Sequence, residues 1–318
     1  MKHPFRLAAA ALSLSLGAAA EERPPAAVPA FDLERLELDP SATGALLVGN
    51  GRTLAPRAYR LTLLGQHQRD PLELQVDEAS AGSVVRSRTS AHLAFAYGVN
   101  TRLEVGALLS AVLSQAGDDL TEYGVAPVAR SGVATPVAYA RYGLLSVERS
   151  APLDLSLSVA VGLPVGSGSA LAAGGFMVAP RVLAGKQWGA YGLAAEMGAR
   201  FTPAVRLEGD EVGSGLTAAV AGTRSWGRYQ AELGTRVQSF LTDLPAGAEA
   251  FVAGRVRRVG PLELVAILGR GFGTAPGVPS WRALLGVALA PAASVRPAAL
   301  APLASRGPVD VTREEVAP

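Results

Sequence analysis

The chain has 318 residues, 49% of them hydrophobic and 18% charged, with 36 Gly, 22 Pro and no Cys. Its mean hydropathy is +0.26, too apolar for a disordered chain and too poor in charge for an ordinary water-facing surface. No apolar run reaches the roughly 18 residues a membrane helix needs, which excludes a polytopic helical membrane protein. The absence of Cys excludes disulfides, thiolate metal sites and Cys nucleophiles. Of the 29 Lys and Arg, Lys2 and Arg6 lie in an N-terminal leader, and the rest match the 27 Asp and Glu in number. A neutral chain carries no electrostatic footprint for nucleic acid.

Residues 1–20 have the three parts of a secretory signal. Lys2, His3 and Arg6 form a basic start, Leu7 to Leu16 an apolar middle, and Ala18-Ala19-Ala20 a small-residue cleavage site. Residues 21–55 are Pro- and Ala-rich, then mixed, with no clean period. They are expected to be a periplasmic lead-in or a plug in the mouth of the domain formed by the residues after them.

From Arg57 to Ala290 the apolar residues alternate with period two, the mark of strands with one apolar face. Leu103, Val105, Ala107, Leu109 and Ala111 oppose Arg102, Glu104, Gly106 and Ser110. Leu153 to Leu163 and Tyr229 to Ser239 repeat the pattern. Runs of about 10–13 residues exceed the usual soluble strand of ~5–6 and suit a tilted bilayer crossing of about 9–11.

Tight connections near Val99-Asn100, Glu148 to Ala151, Gln187, Trp226-Gly227 and Val259-Gly260 alternate with longer ones near 114–132, 165–174, 202–212, 241–247 and 272–279. Outer-membrane barrels have short periplasmic turns and longer outside loops. Residues 68–87 become one more outside loop on this count. The expected fold is all-β, an antiparallel transmembrane barrel of about twelve strands over residues 56–291, followed by a short tail, 292–318.

Two aromatic belts are expected where the wall meets the interfaces. Tyr59, Tyr97, Tyr142, Trp188, Tyr191, Trp226 and Tyr229 mark inner strand ends; Phe176, Phe201, Phe240, Phe251, Phe272 and Trp281 mark outer ones.

A signal peptide, Phe31-Asp32-Leu33-Glu34-Arg35, Arg69-Asp70-Pro71-Leu72, Tyr97-Gly98 before Arg102-Leu103-Glu104-Val105-Gly106, and Gly162-Leu163-Pro164-Val165-Gly166 together resemble the barrel part of OmpA-like outer-membrane proteins. The resemblance spans most of residues 31–292 and implies an outer-membrane location with lipid as surroundings. Many such proteins add a peptidoglycan-binding domain; residues 291–318 are too few for a domain of roughly 100, so no cell-wall binding is expected of this chain.

With apolar faces toward lipid, the inward set includes Arg60, Arg141, Arg181, Arg236 and Arg255, and Glu104, Asp154, Glu196, Glu232 and Glu263. Arg255 and Glu263 flank one turn, and Arg141 and Asp154 another, so each pair is expected to meet across strands. This balanced layer either braces a closed barrel or lines an aqueous constriction; small inward residues such as Ser156, Ser158, Ala160 and Gly162 leave room for the second. The expected function is a passive channel for small solutes, the alternative a structural or surface-interaction barrel.

Catalysis is not expected. His67 sits at an outer strand end and His92 faces inward near Ser90, with no nucleophile elbow. Asp118-Asp119 and Glu208-Gly209-Asp210-Glu211 read as solvated loop tips, so no metal or other cofactor is expected.

Overall fold

A computed structural model describes residues 25–76, 79–207, 210–259 and 262–290. The signal, the tail and Gly260 of one expected turn lie outside the described residues.

Fifteen strands occur among the described residues: β1 Tyr59–Val76, β2 Ala79–Gly98, β3 Leu103–Ala116, β4 Gly132–Val133, β5 Val137–Leu145, β6 Asp154–Gly162, β7 Met177–Trp188, β8 Tyr191–Arg200, β9 Val205–Leu207, β10 Asp210–Val212, β11 Gly215–Trp226, β12 Tyr229–Phe240, β13 Gly247–Val259, β14 Leu262–Phe272 and β15 Trp281–Leu289. Twelve of them form a closed antiparallel ring in sequence order, completed where β1 pairs with β15 from Leu61↔Leu289 to Arg69↔Trp281. Strands β9 and β10 make a separate hairpin in an outside loop, and β4 adds two residues beside β3. Closure leaves no edge, and every strand of the ring pairs on both sides.

Period-two alternation decides which side chains face out. On β1, Tyr59, Leu61 and Leu63 are exposed while Arg60, Thr62, Leu64, Gln66 and Gln68 are buried. The same split gives a continuous exposed band that includes Leu93, Leu109, Leu157, Val182, Met197, Leu233, Val252, Leu268 and Leu285, the last 69% exposed. A band of that size is untenable in water; around a closed sheet it is a lipid-facing wall.

At the inner rim the same four-residue hairpin occurs twice, Trp188-Gly189-Ala190-Tyr191 and Trp226-Gly227-Arg228-Tyr229. Gly189 and Gly227 adopt φ of 55° and 57°, the left-handed conformation a two-residue turn demands. Trp226 stacks on Tyr229, and Lys186, Arg224 and Arg228 lie over Trp188, Tyr191 and Tyr229. Aromatic rings capped by cations suit an interface where apolar wall meets charged headgroups.

Two expectations need correction. Residues 68–87 are not a loop: β1 and β2 run on as a paired hairpin to Val76↔Ala79, with register shifts between Arg69 and Gln75. Pro71 lacks an N–H and Asp70 takes φ of 47°, so the ladder breaks there and resumes beyond it. Second, Phe240 and Phe251 point inward, at 7% and 3% exposure, whereas Phe272 of the outer belt is 53% exposed. Phe240 shares parity with Arg236, and Phe251 with Arg255, so the alternation that turns those arginines inward turns the rings inward too. The remaining belt residues, Tyr59, Tyr97, Tyr142, Trp188, Tyr191, Trp226, Tyr229, Phe176, Phe201, Phe272 and Trp281, lie on the outward side.

Candidate functional site: a lumen built around the N-terminal segment

Residues 31–54 lie inside the barrel rather than in the periplasm. The path starts among the outside loops, where Ala26 bridges Val125 and Leu33 donates its N–H to the carbonyl of Leu171 at 3.0 Å. It descends past Glu34 and Glu37 and then circles the inner half, meeting in turn Arg141, Arg255, Glu232, Glu196 and Glu104. It leaves at the inner rim, where Ala58 leads into β1.

The segment has no regular structure, so its backbone groups need other partners. Some are local: Asp32, Glu34, Asp39 and Asn50 each accept the N–H two residues on, at 2.9–3.3 Å. The others are supplied by the wall. Glu232 accepts the N–H of Leu46 at 2.6 Å and of Leu47 at 3.3 Å, Glu196 that of Gly49 at 2.9 Å, and Glu104 that of Leu54 at 2.8 Å. Arg236 donates to the carbonyls of Glu37 and Leu47, and Arg255 to those of Ala42 and Gly44. Much of the balanced charge of the wall is therefore spent on reading one stretch of main chain, carboxylates on its N–H groups and guanidiniums on its carbonyls.

The remaining charges form ion pairs, several of them with the segment. Arg141 holds Asp39 at 2.6 Å and Glu104 at 3.4 Å, Arg181 holds Glu37 at 3.1 Å, and Arg236 holds Glu196 at 3.0 Å. Arg60 pairs with Glu263 at 2.7 Å across the small Ala288 of β15. Of the two expected cross-turn pairs, Arg255–Glu263 forms, as a long diagonal contact, and Arg141–Asp154 does not. Arg255 sits opposite Val265, and the register shift between Val256 and Val259 leaves it 3.9 Å from Glu263. Arg141 sits opposite Ser158 after a shift between Gly143 and Leu145; Asp154 instead accepts the N–H of Val147 and lies 3.9 Å from Arg52.

Apolar contacts complete the packing. Leu36, Leu46, Leu47 and Val48 are buried against Leu64, Phe251, Val265, Ile267 and Leu284 of the wall. Strand β14 is thus apolar on both faces, one toward lipid and one toward this segment.

Sequence reasoning missed Arg88, Arg282, Gln66, Gln68 and Glu249, all inward and buried. Arg282 holds Glu34 at 3.1 Å and Glu249 at 2.8 Å, and Gln66 donates to Glu34 at 2.6 Å. Arg88 donates to the carbonyls of Ala170 and Leu171, drawing the 163–176 loop into the outer mouth. Gln66 and Gln68 share parity with Arg60 on β1, Arg88 with His92 on β2 and Glu249 with Arg255 on β13, while Arg282 shares it with the buried Leu284 and Ala288 of β15. Burial by itself would raise the carboxyls of Glu34 and Glu37, which belong to the segment and not to a strand. Arg282 beside the first, and Arg181 and Arg200 beside the second, more than offset this and hold each at about 2. Both are therefore ionised at neutral pH.

His92 faces Ser110 at 2.8 Å, and His67 faces Thr89 at 3.0 Å on the outward side next to Trp281. Among the described residues no group of three His, Asp or Glu is placed to hold a metal ion. Asp118 accepts the N–H of Ser83 and pairs with Arg86, so it ties the 117–131 loop to the projecting β1–β2 hairpin.

A closed, lipid-facing antiparallel ring of twelve strands with a charged interior is a transmembrane β-barrel of the outer-membrane type. The structure is similar to the COG4313 outer membrane channel from Pseudomonas putida F1, with a TM-score of 0.59 and 15% identity over 76% of this chain and 98% of that one. It also matches the NanC porin at a TM-score of 0.48 and 8% identity, and the KdgM porin at 0.46 and 9%, each over 72% of this chain and 98% of the other. At these identities the likeness is one of fold. No family profile matches the sequence, and no curated protein matches it.

Proposed function

We propose that the protein is an outer-membrane channel for small solutes, occluded by its own residues 31–54. The observation that carries this reading is that the segment fills the lumen without belonging to the wall. No strand of the ring pairs with it, its one isolated bridge, Asp32 to Ala172, goes to an outside loop, and the ring closes through β1 and β15 regardless. Such an insert can shift without opening the sheet. The kinship with OmpA-like barrels rests on short sequence motifs, and the non-catalytic reading on the lack of a nucleophile elbow in the sequence.

Single-channel recording of the refolded protein in a planar bilayer tests the proposal. Small, steady, ohmic steps are expected. An inserted barrel that stays silent across the usable voltage range would favour the structural alternative.

A further inference from the structure

Most buried charges in the lumen are matched; Arg35 is not. Its guanidinium lies over the ring of Phe240 at 5.2 Å, and among the described residues it makes no hydrogen bond and no ion pair, its Nε being buried without a partner. The neighbouring charges are engaged elsewhere. Glu37 is shared between Arg181 at 3.1 Å and Arg200 at 3.2 Å, Asp32 lies 3.8 Å from Arg200, and Glu34 is held by Arg282. Asp32, Glu37 and Glu34 act on Arg35 through space, and Arg200 opposes them.

Arg35 and Arg200 also line two shallow clefts at the outer mouth, both open to solvent. The first is lined by Phe31, Met177 and Val212, by Gly174 and Gly175, and by Asp32, whose carboxylate lies 3.8 Å from Arg200. Thr135 lines it too, and its Oγ1 is the second buried polar atom there without a partner. An unmatched cation, a free hydroxyl and an apolar wall meet in one place.

We propose that this cleft is a binding site for a small amphipathic carboxylate. One carboxylate oxygen takes the free N–H groups of Arg35, Thr135 donates its hydroxyl to the other, and the apolar body lies on Phe31, Met177 and Val212. The guanidinium fork suits a planar oxyanion, and a partly desolvated charge-assisted hydrogen bond is the strong kind. The inference deepens the channel reading by naming a solute class, yet it rests on the geometry of the mouth and is tested without any transport.

The test is calorimetric titration of the full chain in detergent with hexanoate, with hexan-1-ol and inorganic phosphate as comparisons. Hexanoate is expected to bind more tightly than either. Arg35→Gln should weaken it by about tenfold or more, the value of one charge-assisted contact. Thr135→Val should weaken it less, and Arg270→Gln, on the outward face of β14, should leave it unchanged. Hexan-1-ol binding as tightly as hexanoate would overturn the anionic half of the site, and phosphate binding as tightly would overturn the apolar half. No binding to a barrel that melts normally, or equal losses in Arg35→Gln and Arg270→Gln, would overturn it altogether. Thr135→Val keeps the question decidable where Arg35→Gln disturbs the segment. A conducting barrel that ignores hexanoate refutes this site alone, and a silent one that binds it refutes the channel alone.

Discussion

Deleting residues 31–54 is expected to raise the single-channel conductance severalfold over the intact chain while the barrel still inserts. The sheet does not need the segment, because the ring closes through β1 and β15 and the outward band is untouched. The wall charges that lose main-chain partners, Glu196, Glu232, Arg236 and Arg255, face a lumen that fills with water, so they are rehydrated instead of stranded. The apolar inner patch of Phe251, Val265, Ile267 and Leu284 does lose its cover, and a lower melting temperature should accompany the larger current. Should the shortened chain fold poorly, Leu46→Asp with Leu47→Asp dislodges the segment at full length by placing carboxylates in that patch. Unchanged conductance in both variants would mean that residues 31–54 do not set the bore.

Replacing Arg141 with Met is expected to cost about 3–5 kcal/mol of unfolding free energy, the usual penalty for breaking a buried ion pair from one side. Arg141 is 3% exposed and sits between two buried carboxylates, Asp39 of the segment and Glu104 of β3, while also donating to Ser41 and the carbonyl of Arg52. Without it, two negative charges face each other in a dry part of the lumen. Reversible urea unfolding in lipid vesicles measures the loss. The triple variant Arg141→Met, Asp39→Asn, Glu104→Gln should recover most of it, since the stranded charges are then gone. A single variant within about 1 kcal/mol of the parent would mean the cluster is hydrated, as exposed pairs are.

The wall was legible because alternation is a local property: each strand carries its own period-two record, and tight turns punctuate the inner ends. The facing of Phe240 and Phe251 was legible by the same rule but was overridden by their depth, which made them look like belt residues. Register was not legible. A bulge between Val256 and Val259 moves Glu263 from Arg255 toward Arg60, and a bulge costs no sequence signature beyond one extra residue. The β1–β2 extension was hidden by the count of alternating connections, which turned 68–87 into an outside loop although the ladder resumes beyond Pro71.

The segment was the least legible part, for a physical reason. Its conformation is set by Glu104, Glu196, Glu232, Arg236 and Arg255, tens to hundreds of residues away, so it carries no period of its own. Two traces of it were nonetheless present. Val265 and Ile267 make β14 apolar on its inward face, which a water-filled lumen would not want. The inward charges were balanced, and although several pair with one another, Glu104, Glu196, Glu232, Arg236 and Arg255 also take backbone groups as partners.

The direction in which residues 26–55 run through the barrel can be measured directly, since the protein has no Cys of its own. Ala26 is exposed among the outside loops, and Ala55 is exposed at the inner rim. Single variants Ala26→Cys and Ala55→Cys, expressed in intact cells, would be treated with a membrane-impermeant maleimide. Labelling at position 26 from outside, and at position 55 only after the outer membrane is permeabilised, is the predicted result. Labelling of both positions alike, or of 55 before 26, would contradict a segment that enters at the outer mouth and fills the lumen down to the inner rim.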